Sequence, residues 1–326
     1  DITNGVVEDK PHLLLEPSAT NLVTFSEDLT QWAKQSGGTG SAPVLTSGYT
    51  SPDGTNNAYK VSFNKGTGTS TSDFSILTSN TWSTQSNTAS FYIKADSPQK
   101  IVFRNSSNWQ LVDVTTEWQR VSKTDTGNSI QLGLRDGYGI SGIPNTSEVY
   151  IFGAQAEALS YATSYIPTNG STQTRAAETC NGAGTSSIFE STEGILYAEI
   201  AALADDLTFR SISINDGTSN EAVIVRFRTT SNRINGLIRD GGSAVNNLNF
   251  DVTDIRDFHK VAYKFKTGDC ALYVDGTEVA TGTASFTLST QTTLNFDNGV
   301  GDFFYGKVRD IRVYNTKEMT DSEVDI

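Results

Sequence analysis

Histidine and cysteine are almost missing from this chain of 326 residues, which has two of each: His12 and His259, Cys180 and Cys270. A zinc centre built from His and Cys ligands is not credible with so few, so widely spaced. A Ser-His-Asp or Cys-His arrangement would have to recruit one of two histidines, and no Gly-x-Ser-x-Gly elbow is present. No apolar run approaches the roughly 20 residues that span a bilayer. The chain begins at Asp1 with no signal pattern and no initiator methionine, which reads as a fragment of a longer chain or a processed one. Positive charge is also short, with 24 Lys and Arg against 37 Asp and Glu and a net charge of −13. Residues 1–178 hold 16 acidic and 11 basic groups, and residues 179–326 hold 21 and 13, so the halves carry −5 and −8. That argues against a sequence-independent grip on nucleic acid, which needs clustered Lys and Arg against phosphate.

What is abundant is turn chemistry, with 28 glycines and a surplus of Ser, Thr and Asn around short apolar runs. Few stretches carry a helical period, so the expected class is all-β, two antiparallel β-sandwiches. In the second half, His259, Val261, Tyr263 and Phe265 alternate with Lys260, Ala262, Lys264 and Lys266, the period of a half-buried strand. Cys270–Val274 predicts a second strand, ending at the hairpin dipeptide Asp275-Gly276. Gly306–Asn315 predicts a third, followed by a short helix opened by Thr320 with Glu323 completing a capping box. The order "HKVAYKF", "ALYVDGTEV", "GKVRDIRVYN" and "TDSEV" resembles laminin-G-like domains of the concanavalin A-like superfamily, over about residues 188–326. In that pattern the histidine at position 259 is a recurring structural feature. Lys260, Lys264 and Lys266, with Arg226 and Arg228 on another strand, read either as a solvated face or as an anionic-glycan patch.

The first half predicts a separate sandwich. Residues 13–25 read as an opening strand broken at Pro17, and Ser26 to Ala33 as one or two helical turns with Ser26 as N-cap and Trp32 folded onto the core. Strands are expected at 88–95, 100–104, 109–115, 118–123, 129–135 and 148–155, a spacing that fits a jelly roll. "LLLEPSATNLVTFSEDLTQW", "SPDGTNNAYKVS", "TASFYIKA", "TEWQRVS" and above all "IFGAQAEALSYATSYIPTNGSTQTRAAE" resemble a module common in bacteriophage tail-fibre and other virion proteins, itself similar to jelly-roll carbohydrate-binding modules. The stretch Thr168 to Ser187 should hold the boundary, dividing the chain into a carbohydrate-binding-module-like domain, 1–178, and a laminin-G-like domain, 179–326.

Glycoside hydrolysis needs two opposed carboxylates, and no Glu-x-Asp-x-x-Glu run supplies them. The clusters Asp251/Asp254/Asp257 and Glu318/Asp321/Glu323/Asp325 read as solvated surface, so the chain is expected not to be an enzyme. Calcium would prefer an oxygen-rich loop, and Asp297, Asn298 and Asp302 are the best ligands on offer, though hairpin chemistry explains the same residues. Sugar binding would use aromatic faces flanked by polar groups. Trp109 and Asn108 in a polar loop, Tyr138 in Arg135-Asp136-Gly137-Tyr138-Gly139, Trp82, and Tyr92 with Arg104 opposite Phe91 and Ile93 are the candidates; each equally fits a ring that covers a sheet edge. Trp32 and Trp118 read as core. Cys180 and Cys270 form either a disulfide or two buried thiols. The expected function is a non-catalytic adhesin that recognises host-surface glycans, extracellular or on the virion, with other virion proteins as partners, no nucleic acid and no membrane insertion. The tail-fibre resemblance implies a homotrimer. The alternatives are the binding portion of a secreted polysaccharide-degrading enzyme, or a structural virion decoration or connector protein.

Overall fold

The computed structural model describes residues 2–3, 6–7, 11–106 and 108–315. Of these, 2–7 and 18–176 belong to one compact unit, and 11–17 and 177–315 to the other. The helix expected at Thr320, with the acidic cluster around it, lies outside the described residues. No described helix is long and apolar enough to cross a membrane.

The N-terminal unit is a jelly roll, as its pairing shows. Eight strands run from Ala58–Asn64 to Thr146–Glu157, and they pair as a nested set. Ala58–Asn64 pairs with Thr146–Glu157, Phe74–Thr78 with Gln131–Arg135, Gln85–Lys94 with Gln119–Gly127, and Gln99–Arg104 with Gln110–Val114. Successive pairs fall in alternate five-stranded sheets, which is a hairpin wound around a core. Ala33–Gly37 and Ser41–Tyr49 add an edge to each sheet. The strand pleat sends Val61, Phe63, Phe91, Ile93, Phe103, Leu132 and Ile151 between the sheets, and Phe91 meets Phe103 edge-on at 4.9 Å.

The expected helical turn is a single 3₁₀ turn, Leu29–Gln31, and its N-cap is Asp28 rather than Ser26. Ser26 is buried instead, its hydroxyl 2.6 Å from the Tyr165 hydroxyl and accepting the Thr168 N–H at 2.7 Å. Trp32 does fold onto the core and donates to the Phe25 carbonyl at 2.9 Å. Trp118 does not; it is half-buried, with the Lys94 ammonium 5.5 Å from its ring.

The segment Gly153 to Thr168 is a polar lock. Ala154 and Ala156 face the core, so Gln155 and Glu157 point outward, where the chain from 159 to 168 folds back and buries them completely. The Gln155 carbonyl accepts the Ile166 N–H at 2.6 Å, and its amide donates to the Thr163 carbonyl at 3.3 Å. The Glu157 carboxylate accepts the Thr163 N–H at 3.0 Å and its hydroxyl. Asn21 uses its whole amide, donating to the Ala154 and Ile166 carbonyls and accepting from the Val23 and Ala156 N–H groups. Arg120 donates to the Thr163 carbonyl at 2.7 Å and to the Ser90 hydroxyl at 3.0 Å.

The C-terminal unit has two six-stranded antiparallel sheets. One runs Asn181–Ala183, Thr293–Asn295, Arg210–Asn215, Ala222–Phe227, Arg233–Asp240, Ser243–Asp251. The other runs Thr277–Gly282, Cys270–Val274, His259–Lys266, Glu193–Ala202, Gly306–Tyr314, Leu13–Leu15. The strands expected at 259–266 and 270–274 are there, the one expected at 306–315 runs over 306–314, and Asp275 and Gly276 turn with φ of 52° and 78°. Both positive values are what a two-residue hairpin of matching twist requires. Tyr263 is fully buried against Gly236 of the facing sheet, where a Cβ would come within 2.6 Å of its ring.

One expectation changes here. Residues 13–25 are not one strand of the first domain: Leu13–Leu15 pairs with Gly306–Tyr314 of the C-terminal unit, while Ala19–Asn21 pairs with Gln173–Arg175. Pro17 separates them, having no N–H to carry a ladder through. The division between the units falls at Ala176/Ala177. Cys180 and Cys270 are free thiols, and no disulfide joins them. Cys270 sits on one sheet inside the core, its thiol 3.3 Å from the Lys266 carbonyl and pushed up in pKa by burial, and Cys180 leads into the opposite sheet.

All four tryptophans lie in the N-terminal unit, so tryptophan fluorescence follows its unfolding alone. Replacing Glu157 with Ala strands a buried N–H and hydroxyl of Thr163, at a cost of about 1–3 kcal/mol. The expected outcome is a tryptophan-detected urea midpoint that falls accordingly; an unmoved midpoint would contradict the lock.

Candidate functional site

The alternation that buries Ile101 and Phe103 turns Val102 and Arg104 to the outer face of their sheet. On neighbouring strands Gly133 pairs with Val102 and with Ile76, and Arg135 pairs with Phe74, so these residues share that face. The patch of Ile76 and Val102 is covered by Trp109, with Leu111, Ile140 and Ile143 around it. Trp109 therefore is not an open platform. It is 9% exposed, its indole N–H is buried without a partner, and the Arg104 guanidinium lies 4.5 Å over its ring.

Tyr138 is the open ring. It is 53% exposed, 6.5 Å from Trp109, with the Arg135 guanidinium 5.3 Å over it and 4.8 Å over Phe74. The result is a ladder of rings and guanidiniums: Phe74, Arg135, Tyr138, Trp109, Arg104. Its turn has three consecutive left-handed residues, Gly137 at φ 91°, Tyr138 at 57° and Gly139 at 75°. A tyrosine rarely adopts that backbone, and it persists only where its surroundings hold it. The hold is Lys65, buried, whose ammonium reaches Asp136 at 2.5 Å, the Gly68 carbonyl at 3.0 Å and Asn145 at 3.2 Å.

The two arginines carry unbalanced charge. Arg104 donates to Gln131 at 2.9 Å and Arg135 to the Thr71 carbonyl at 3.1 Å, and neither makes an ion pair among the described residues. Burial holds Arg104 below its usual pKa, and repulsion from Arg135 adds to the effect.

The remaining candidates lie elsewhere. Tyr92 is on the outer face of the opposite sheet, under the polar lock, with Arg120 5.3 Å over its ring and Phe152 at 6.2 Å. It does not share a surface with Arg104, because each residue points away from the core on its own side of the sandwich. Trp82 packs half-buried against the main core, its N–H unpartnered. Asn108 is exposed beside Trp109, its carbonyl accepting from Lys123 at 3.1 Å. The sequence reading missed Arg135, although its position two residues beyond Gly133 and alternating with Leu132 and Leu134 marks it as outward. It also missed a cleft of about 460 Å³ lined by Glu27, Asp28, Asn56, Asn57, Tyr59 and Asn169. Hydrogen bonds, chiefly from the Thr30 hydroxyl, hold Asp28 there below the usual carboxylate range.

In the C-terminal unit, the loop proposed for calcium is closed by its own hydrogen bonds. Asp297 accepts from Asn181 at 2.8 Å and from the Gly299 N–H at 2.6 Å. Asn298 accepts from the Gly301 N–H at 3.0 Å and donates to Asp302 at 2.7 Å. Among the described residues no three His, Cys, Asp or Glu side chains gather as a metal-holding group. His259 is structural in its contacts, with Nδ1 2.8 Å from Asp275 and Nε2 3.0 Å from the Asp254 carbonyl. The basic row is also split. Lys264 and Lys266 pair with Asp269 and Glu193 on one sheet, while Arg226 and Arg228 belong to the other.

Residues 198–325 match the family model of the concanavalin A-like lectin/glucanase superfamily, laminin-G type. No curated protein matches the chain. Among solved structures it is similar to the CBM40 of the Ruminococcus gnavus IT-sialidase, at 16% identity and a TM-score of 0.35, covering 45% of this chain and 94% of that one. It is also similar to domains LG4-5 of the mouse laminin α1 chain, at 10% identity and a TM-score of 0.31, covering 71% and 83%. The fold is all-β, and its C-terminal sandwich is of the concanavalin A-like, laminin-G type.

Proposed function

We propose that this chain is a non-catalytic glycan-binding protein, and that its N-terminal sandwich takes the sugar at Tyr138, Arg135 and Arg104. The observation that carries the reading is the Tyr138 ring, held open to solvent in a left-handed turn beside two guanidiniums that make no ion pair among the described residues. An aromatic face accepts the apolar C–H face of a pyranose, and the guanidinium N–H groups donate to its hydroxyl oxygens. Trp109, buried beneath, supports the ladder rather than touching ligand. The lectin-type family match of the second sandwich supports the same reading. The likeness of the N-terminal segments to tail-fibre modules supports a place on a virion surface, as a host-recognition adhesin among other virion proteins and as a homotrimer.

Both histidines that could serve a nucleophile lie in the C-terminal unit, and His259 is committed to Asp275 and a carbonyl. The sequence offers no Glu-x-Asp-x-x-Glu run to supply the two opposed carboxylates of glycoside hydrolysis, and the protein is expected to release no reducing sugar from the polysaccharide it binds.

Tyr138→Ala and Arg135→Gln should each weaken glycan binding at least ten-fold on an array of bacterial surface polysaccharides, with the tryptophan-detected unfolding midpoint unchanged. Equal binding by both variants would overturn the site. For the Asp297–Asp302 loop, we propose that the hydrogen bonds alone hold its shape. The melting temperature should then be the same in EDTA and in millimolar calcium, and a rise with calcium would assign the loop a cation.

A further inference from the structure

A second basic feature lies on the C-terminal sandwich, independent of the Tyr138 site. Val225 and Phe227 enter the core, so Arg226 and Arg228 turn outward. Register then sets one row across four strands: Ser211, Arg226, Asn235, Asn249. Arg226 donates its Nε–H to Asn235 at 2.8 Å, and Arg228 donates to Asn249 at 2.9 Å. Phe209 stands two residues before Ser211 on the same face, and its ring covers both guanidiniums, 4.3 Å from that of Arg226 and 5.9 Å from that of Arg228.

The electrostatics of this row are unbalanced. Arg226 is 9% exposed, and among the described residues neither arginine makes an ion pair. Burial, and then repulsion from Arg228, bring the Arg226 pKa down to about 10; Asp302 acts the other way, and its carboxylate is already bonded to Asn298. The Ser211 hydroxyl and the Arg228 Nε–H are buried without partners. Burying a guanidinium beside a like charge is costly unless an anion joins it, and the Phe209 ring offsets only part of that cost. Arg228 and Asn249 are half-buried and Asn247 exposed, so a ligand can reach the row from that side.

We propose that Arg226 and Arg228, with Asn247 and Asn249, form a second ligand site for an acidic saccharide, one bearing a carboxylate or a sulfate ester. The fork of a guanidinium matches either oxyanion with paired hydrogen bonds. The amides serve sugar hydroxyls, and the outer face of Phe209 is available to a pyranose ring. The net charge of −8 over residues 179–326 disfavours long polyanions such as nucleic acid and selects for a short, locally charged group.

The test uses the full chain carrying Tyr138→Ala and Arg135→Gln, so that the first sandwich is silenced. Calorimetric titration with trigalacturonate, with a sulfated galactan tetrasaccharide and with its neutral counterpart is read beside the arginine Nε–H signals. The expected result is saturable binding of one or both acidic probes, weakened at least ten-fold by Arg226→Gln or by Arg228→Gln and reduced by salt. Which probe binds separates carboxylate from sulfate recognition. Arg228 is half-buried and supplies the variant least able to disturb folding, checked by its melting temperature. Binding of the neutral sugar as tightly as the acidic ones, affinities unchanged by both arginine variants, or Nε–H signals unmoved by either acidic probe would each overturn the proposal.

Discussion

The pleat of the β-strand is the constraint on which everything else here depends. Phe103 enters the core with no exposure, so Arg104 must point the other way; Val225 and Phe227 do the same to Arg226. The functional surface is in this sense a by-product of core formation, since each buried apolar residue aims its neighbour at solvent. Pairing across strands then gathers those neighbours into rows. Arg135 reaches the face of Arg104 because Gly133 and Leu132 fix the register between the two strands.

Where outward residues are apolar or fully polar, the chain returns to cover them. Over Ile76 and Val102 the cover is Trp109 and the loop of Tyr138. Over Gln155 and Glu157 it is the segment to Thr168, stitched down through its backbone by side-chain amides and a carboxylate. A buried polar network of this kind is costly when any member is removed, which explains why "GAQAEALSYATSYIPT" is such a distinctive signature. Its residues close the jelly roll. The resemblance it carries is therefore about architecture, and the proposed ligand site lies on the opposite sheet.

The class and most strands were legible because alternation is local. His259 to Lys266 and the hairpin at Asp275-Gly276 came directly from the sequence, as did five of the strands of the jelly roll within two or three residues at each end. What was not legible depends on which sheet a strand joins. Tyr92 and Arg104 both alternate with core residues, and only the topology shows that they face opposite ways. The same holds for the lysines and the Arg226 pair, and for the segment 13–25, which Pro17 divides between two units. Trp109 looked exposed because its sequence neighbours are polar, yet the apolar patch it covers comes from strands distant in sequence. Ser26 had the chemistry of an N-cap, but a deeper pairing with Tyr165 and Thr168 took its hydroxyl, leaving Asp28 to cap the turn.

The proposed function turns on one feature, the ring that the left-handed turn of Tyr138 holds open for a sugar. The most direct measurement is a titration of the labelled protein with a panel of neutral and acidic oligosaccharides, followed by backbone amide and arginine Nε–H shifts. The account predicts that the sugar which binds will move Gly137, Tyr138, Gly139 and Arg135 together. Shifts gathered instead around Asn57 and Asn169, or no shift at the Tyr138 turn with any sugar, would contradict it.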